Sequence, residues 1–130
     1  MEPNFSVQFE DFTERYFIKS FAKKYKNNWE LTRRAIIEML ERIDSLLLTD
    51  KAETITDIGN IKIIKTKFRV FGTNESAKTS GNRCIVSADY TKREVRVLLV
   101  YGKTDLSGHN ETAEWQKIIK TNYPEYKHLF

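Results

Sequence analysis

Three runs of β-branched and aromatic residues lie between residues 61 and 101, and their spacing constrains the fold more than any other feature. IKIIKTKFRVF (61–71), NRCIVSADY (82–90) and REVRVLLVY (93–101) each have the composition of a strand. The short connection Asp89-Tyr90-Thr91-Lys92-Arg93 suits a hairpin, so the second and third runs are expected to be antiparallel neighbours. The first two are joined by GTNESAKTSG (72–81), a Gly-, Ser- and Thr-rich segment that reads as a flexible loop at the edge of the sheet.

Ahead of these strands the hydrophobic period is different. Phe5, Val7 and Phe9 alternate with polar residues, as in a short half-buried strand. From residue 12 to 26 the spacing turns helical through Phe17, Ile18, Phe21 and Tyr25, with Asp11 and Glu14 placed for a capping box. Asn27 and Asn28 should end that helix and cap a second one over residues 29–48. Its apolar stripe runs through Ala35 or Ile36, Met39 or Leu40, Ile43, Leu46 and Leu47. Two helices so joined should pack as an antiparallel hairpin. Residues 49–60 read as a polar loop with at most a short extended piece at Thr54 to Ile58. After a further loop from Lys103 to Asn110, Trp115, Ile118 and Ile119 mark one face of a short helix that Pro124 ends. The aromatic tail YPEYKHLF should pack back on the rest. The expectation is one α+β domain over residues 1–130: a short N-terminal strand, a helical hairpin, a mainly antiparallel twisted sheet and a C-terminal helix.

Composition removes several function classes. Cys84 is the only cysteine and the two histidines, His109 and His128, are far apart, so no internal disulfide and no cysteine- or histidine-cluster metal site is expected. The N-terminal MEPNFSVQFEDF lacks the basic-then-apolar pattern of a signal peptide, and no apolar run is long enough to span a bilayer. A cytoplasmic location without membrane contact is the expectation. No Gly-rich phosphate loop, paired-carboxylate motif or nucleophile elbow is present.

The formal net charge of +4 is unevenly spread. Residues 51–104 carry 11 basic and 5 acidic side chains, whereas the segments on either side are each slightly acidic. A localised positive excess is what a phosphate-binding surface requires. Within it, Lys65, Lys67 and Arg69 share one strand parity, which spaces three cations about 7 Å apart on one face. Ile61 and Ile63 have the same parity, so a bulge near Ile63-Ile64 is expected to keep them covered. The alternative is that these cations only solvate the open side of a one-sided sheet. Arg83 and Lys103 stand at strand ends beside glycines, and a guanidinium can grip phosphate through two parallel bonds. Tyr101 can stack a base or act through its hydroxyl, unless it is a core residue. His109 lies in a loop and is a candidate general acid or base, while Cys84 reads as a small buried hydrophobe.

The order of elements, with IKIIKTKFRVF, GNRCIVSADY and VRVLLVYGKTDLS, resembles the RelE/ParE superfamily of toxins from type II toxin–antitoxin systems, over about residues 5–110. The resemblance implies an mRNA interferase, a ribosome-dependent and metal-independent endoribonuclease that stops translation and is neutralised by an antitoxin protein. Its substrate would be mRNA on the ribosome, cut when a ribose 2′-OH attacks the neighbouring phosphate, with no small-molecule cofactor. The resemblance puts Arg83, Lys65 and Lys67 on the phosphate, Lys103 close to the family's basic residue after the last strand, and His109 in a supporting role. Arg69 and Tyr101 would contact RNA. Thr104 stands where the family has a second arginine, and the family's C-terminal tyrosine has no aligned equivalent; His109, Tyr101 and Tyr123 are the substitutes. The other reading of the same scaffold is a non-catalytic binding protein, either a gyrase-directed toxin or an RNA-binding relative.

Overall fold

The computed structural model describes residues 4–102, 104–106 and 110–130. Its centre is a five-stranded sheet of order β1-β5-β4-β3-β2. The strands are β1 (Ser6–Phe9), β2 (Ala52–Ile58), β3 (Ile61–Lys67), β4 (Arg83–Asp89) and β5 (Glu94–Tyr101). All neighbours are antiparallel except β1, which pairs parallel with β5 after the chain has crossed the sheet through its helices. The α+β architecture is therefore the expected one, with one more strand.

That additional strand, β2, replaces most of the predicted 49–60 loop. It is an edge strand, largely exposed, so its sequence AETITDI carries no continuous apolar face. The missed signal is Gly59-Asn60, the two-residue turn between Ile58 and its partner Ile61. Gly59 has φ +63°, the left-handed value a tight hairpin asks of its first central residue.

The bulge expected at Ile63-Ile64 is absent. Both residues keep register with Ser87 and Val86 on β4. The register shifts occur instead at Ile55 in β2 and at Leu98 in β5. Ile63 needs no bulge because the sheet is covered on both faces. Helix α4 (Glu111–Asn122) and the terminal 3-10 helix (Pro124–Leu129) lie over it, with Trp115, Ile119, Tyr123, Tyr126 and Leu129 packed on Ile63, Ile85, Leu98, Leu99 and Tyr101. On the other face Ile18, Phe21, Trp29, Ile36, Leu40 and Ile43 pack on Ile64, Phe68, Cys84, Val86, Val97 and Val100. Each fully buried aliphatic or aromatic side chain contributes roughly 1.5–3 kcal/mol.

The hairpin on that second face differs in detail from its sequence pattern. The first helix, α1, spans residues 11–25 and contains a π-helical stretch at Glu14–Ile18 between regular turns at Asp11–Thr13 and Lys19–Tyr25. No side chain caps its start, so the Asp11–Glu14 capping box does not form. Thr13 serves the sheet instead, where its hydroxyl accepts the buried N–H of Val100 at 2.8 Å. Lys26, at φ 51°, breaks the chain before α2 (Asn27–Glu41), and Arg42 separates that helix from the short α3 (Ile43–Leu46). Among the described residues no helix is long and apolar enough to cross a membrane.

Burial has a consequence at high pH. The Cys84 thiol is pushed up from 9.0 to about 12 by desolvation, and burial likewise raises the phenols of Tyr90, Tyr101 and Tyr123. Each group holds its proton more tightly folded than unfolded. Its contribution is complete below its unfolded value and is lost as pH rises towards the folded value. Urea midpoints should stay level up to about pH 9 and then fall towards pH 12, starting from the 9.0 of the unfolded thiol. Native Cys84 should be inert to a thiol reagent near pH 8 and react only on unfolding, because the thiolate is the reactive form.

Candidate functional site

Where β3 ends and β4 begins, α4 no longer covers the sheet. A cleft of about 310 Å³ opens there, lined by Asp50, Glu53, Lys65, Lys67, Arg83 and Glu111 together with Ala52. Strand register sets the arrangement. Lys67 faces Arg83 across β3 and β4, Arg83 faces Tyr101 across β4 and β5, and Glu53 faces Lys65 across β2 and β3. Directly opposed residues have Cβ atoms about 5 Å apart, so the cross-strand cations act as one group.

Arg83 is anchored as well as charged. Its guanidinium donates to the carbonyls of Asn82 at 2.8 Å, Ala77 at 3.2 Å and Lys78 at 3.2 Å. The 72–81 segment is accordingly tied down rather than loose. Ser80, 5% exposed, donates to the Phe68 carbonyl at 2.7 Å, and the Ser76 and Thr79 hydroxyls bond each other.

Glu111, in the first turn of α4, was not among the sequence candidates. Its Oε2 lies 3.2 Å from Lys65 Nζ and accepts the Tyr101 hydroxyl at 3.1 Å. Burial, and then the adjacent Glu111 carboxylate, raise the Tyr101 phenol far above its usual range, so it stays protonated and acts as a donor. Tyr101 as a whole is only 1% exposed, so it offers no stacking face, and its hydroxyl is engaged with Glu111. Nothing local in the sequence linked Glu111 to Lys65, which is 46 residues away. Asp50 and Glu53 carry no local signal either, because they sit on the exposed edge strand β2 and its approach.

Arg69 does not share the cleft. β3 ends at Lys67, where the Phe68 N–H turns to the Asn82 carbonyl, so the alternating parity stops two residues early. Arg69 lines a separate groove with Lys51, Ile36, Met39, Phe68 and Phe71, and Lys67 borders both. His128 is exposed on the terminal 3-10 helix. Lys103 and His109 lie outside the described residues.

No family model matches the sequence, and no curated protein does. Among solved structures, the archaeal RelE–RelB complex from Pyrococcus horikoshii OT3 contains a chain that superposes with a TM-score of 0.55. The match covers 79% of this chain and 99% of that one at 10% identity. This chain has the RelE fold. At that identity the likeness carries the fold and no residue roles. Within the RelE-like sheet, the cleft is made by the antiparallel strands β2, β3 and β4 and bordered by Glu111 of α4. Its lining combines three cations with three carboxylates.

Proposed function

We propose that this protein is the toxin of a type II toxin–antitoxin system, an endoribonuclease that cuts mRNA on the ribosome by 2′-OH attack. One observation carries the reading: Lys65, Lys67 and Arg83, on two strands, converge on a single cleft that also holds the Glu111 carboxylate. Lys67 and the Arg83 fork hold the non-bridging oxygens of the scissile phosphate and meet the charge of the pentavalent phosphorane. Glu111 takes the proton from the 2′-OH as the 2′-oxygen bonds to phosphorus. As the bond to the 5′-oxygen breaks, Lys65, which touches the same carboxylate, supplies the proton the leaving group needs. Tyr101, through its hydroxyl, fixes the position of Glu111. Lys103 and His109 keep the supporting roles that the family resemblance gives them. The partner is an antitoxin protein, as the RelE–RelB pairing of the matched structure suggests.

A second reading is favoured by the balance of charge. Asp50, Glu53 and Glu111 oppose the three cations, and Arg83 is already bonded to three carbonyls. Such a site is suited to binding without cleavage. Inducible expression with mapping of mRNA 5′ ends separates the two. The endoribonuclease reading expects arrested translation with cuts inside ribosome-covered codons, and Glu111→Gln should slow cutting by roughly 10²–10⁴-fold as a lost proton acceptor does. An intact mRNA pool, with DNA damage for a gyrase-directed toxin or without arrest for an RNA-binding relative, would displace it.

A further inference from the structure

On the opposite face of the sheet from the cationic cleft, we infer a second subsite that binds a nucleobase bearing an exocyclic amine, adenine in the first instance, with Asn82 as the reading group. A cavity of about 330 Å³ lies there, lined by Ser20, Phe21, Tyr25, Asn82, Gly102 and Asp105 among others. Asn82 is 9% exposed. Its backbone is satisfied, with the N–H donating to Ser80 Oγ at 3.0 Å and the carbonyl accepting from Arg83 at 2.8 Å. The side-chain amide has no hydrogen-bond partner among the described residues. The amide lines the cavity unpaired by protein, and a ligand presenting one acceptor and one donor would satisfy both of its atoms. That is the pairing an Asn amide makes with adenine.

Gly102 creates the space. A Cβ at this position would stand 3.2 Å from Asn82 Oδ1, 3.3 Å from Asp105 Oδ2 and 3.3 Å from Phe21 Cζ. These three groups therefore converge on one point that only a missing side chain leaves open. Asp105 is held in place because its Oδ2 accepts the Gly102 N–H at 2.5 Å, and its carboxylate can take a bond from an exocyclic amine. Asp105 and Glu75 outnumber Lys24 in the lining, which disfavours a phosphate and suits a neutral base. The aromatic side is a series of near-parallel rings: Trp29 and Phe21 at 5.0 Å, then Phe21 and the half-buried Tyr25 at 6.2 Å. A planar base has π-faces to match.

The two clefts are joined through the chain. Asn82 and Arg83 are consecutive and line the two clefts on opposite faces. A single strand of RNA passing around this end of the sheet would place its phosphate at Arg83 and a neighbouring base at Asn82. This placement in the reaction rests on the endoribonuclease reading; the subsite itself does not.

Titration of the intact protein with adenosine and with uridine, followed by NMR, tests the subsite without any phosphate. Adenosine is expected to shift the Asn82 side-chain amide and the Gly102 N–H, and to bind about tenfold or more tightly than uridine. Asn82→Ala and Asn82→Asp should each weaken adenosine by about tenfold or more, and Gly102→Ala should do so by filling the space. If the mRNA is cut, cuts should lie beside adenosine in the wild type and lose that preference in Asn82→Ala. Adenosine binding of this kind without any RNA cleavage leaves the subsite standing and removes the endoribonuclease reading. Equal affinity for adenosine and uridine, or adenosine shifts indifferent to Asn82, overturns the subsite even where cleavage is retained.

Discussion

Replacing Arg83 by Ala is expected to lower mRNA cleavage by roughly 10²–10³-fold, the loss that follows removal of one preorganised group facing developing charge. The same change removes three hydrogen bonds to the carbonyls of Ala77, Lys78 and Asn82, so the 72–81 segment should loosen at the same time. Arg83→Lys separates the two roles. It keeps a positive charge in the cleft but cannot reproduce the planar fork that reaches the three carbonyls and a phosphate together. Cleavage measured beside amide hydrogen exchange at residues 77–80 reads both effects. Faster exchange with cleavage near wild type in Arg83→Ala would make the arginine an anchor of the loop and remove it from the chemistry. The sheet itself should survive, because the residue begins β4 and the core side chains of that strand, Cys84 to Val86, are untouched.

Trp115→Ala is expected to destabilise the protein by roughly 3–5 kcal/mol, the range for emptying a large buried aromatic site. Trp115 is completely buried and stands edge-on to Phe130 at 5.8 Å, between α4 and the sheet. Because α4 carries Glu111, loosening it should also separate the carboxylate from Lys65 and Tyr101. Cleavage should therefore fall even at temperatures where the variant is folded. Trp115→Phe makes a sharper comparison. The indole N–H is buried without an acceptor among the described residues, so its removal relieves a cost of about 1–3 kcal/mol while most of the ring volume is kept. Urea unfolding should place Trp115→Phe close to wild type and far above Trp115→Ala; equal losses in the two would mean that the helix is not held by this ring.

Periodicity carried most of the architecture. The shift from alternation at Phe5, Val7 and Phe9 to helical spacing at Phe17 and Phe21, and back to alternation at Ile64, Thr66 and Phe68, located the elements, because burial on one face leaves its period in the sequence. Elements without a clean face were the ones misread. The edge strand β2 is mostly exposed, and the break at Arg42 in the second helix falls within an unbroken apolar stripe. The site divides in the same way. Lys65, Lys67 and Arg83 could be read from parity and position because a strand presents alternate side chains together. Glu111, Asp50 and Glu53 could not, since their approach depends on where α4 and β2 dock.

The sequence by itself determined a basic middle segment, a helical hairpin ahead of a sheet, and a pair of lysines on one face. Only the tertiary structure decided what that face became. It laid α4 over Ile61 and Ile63 so that the cationic row is exposed only at its end. It turned Arg69 away after Lys67 and brought a carboxylate 46 residues distant to within 3.2 Å of Lys65. The physical reason is that strand parity is a local property of the backbone, while the partner of a charged group is chosen by packing between elements that no local pattern connects.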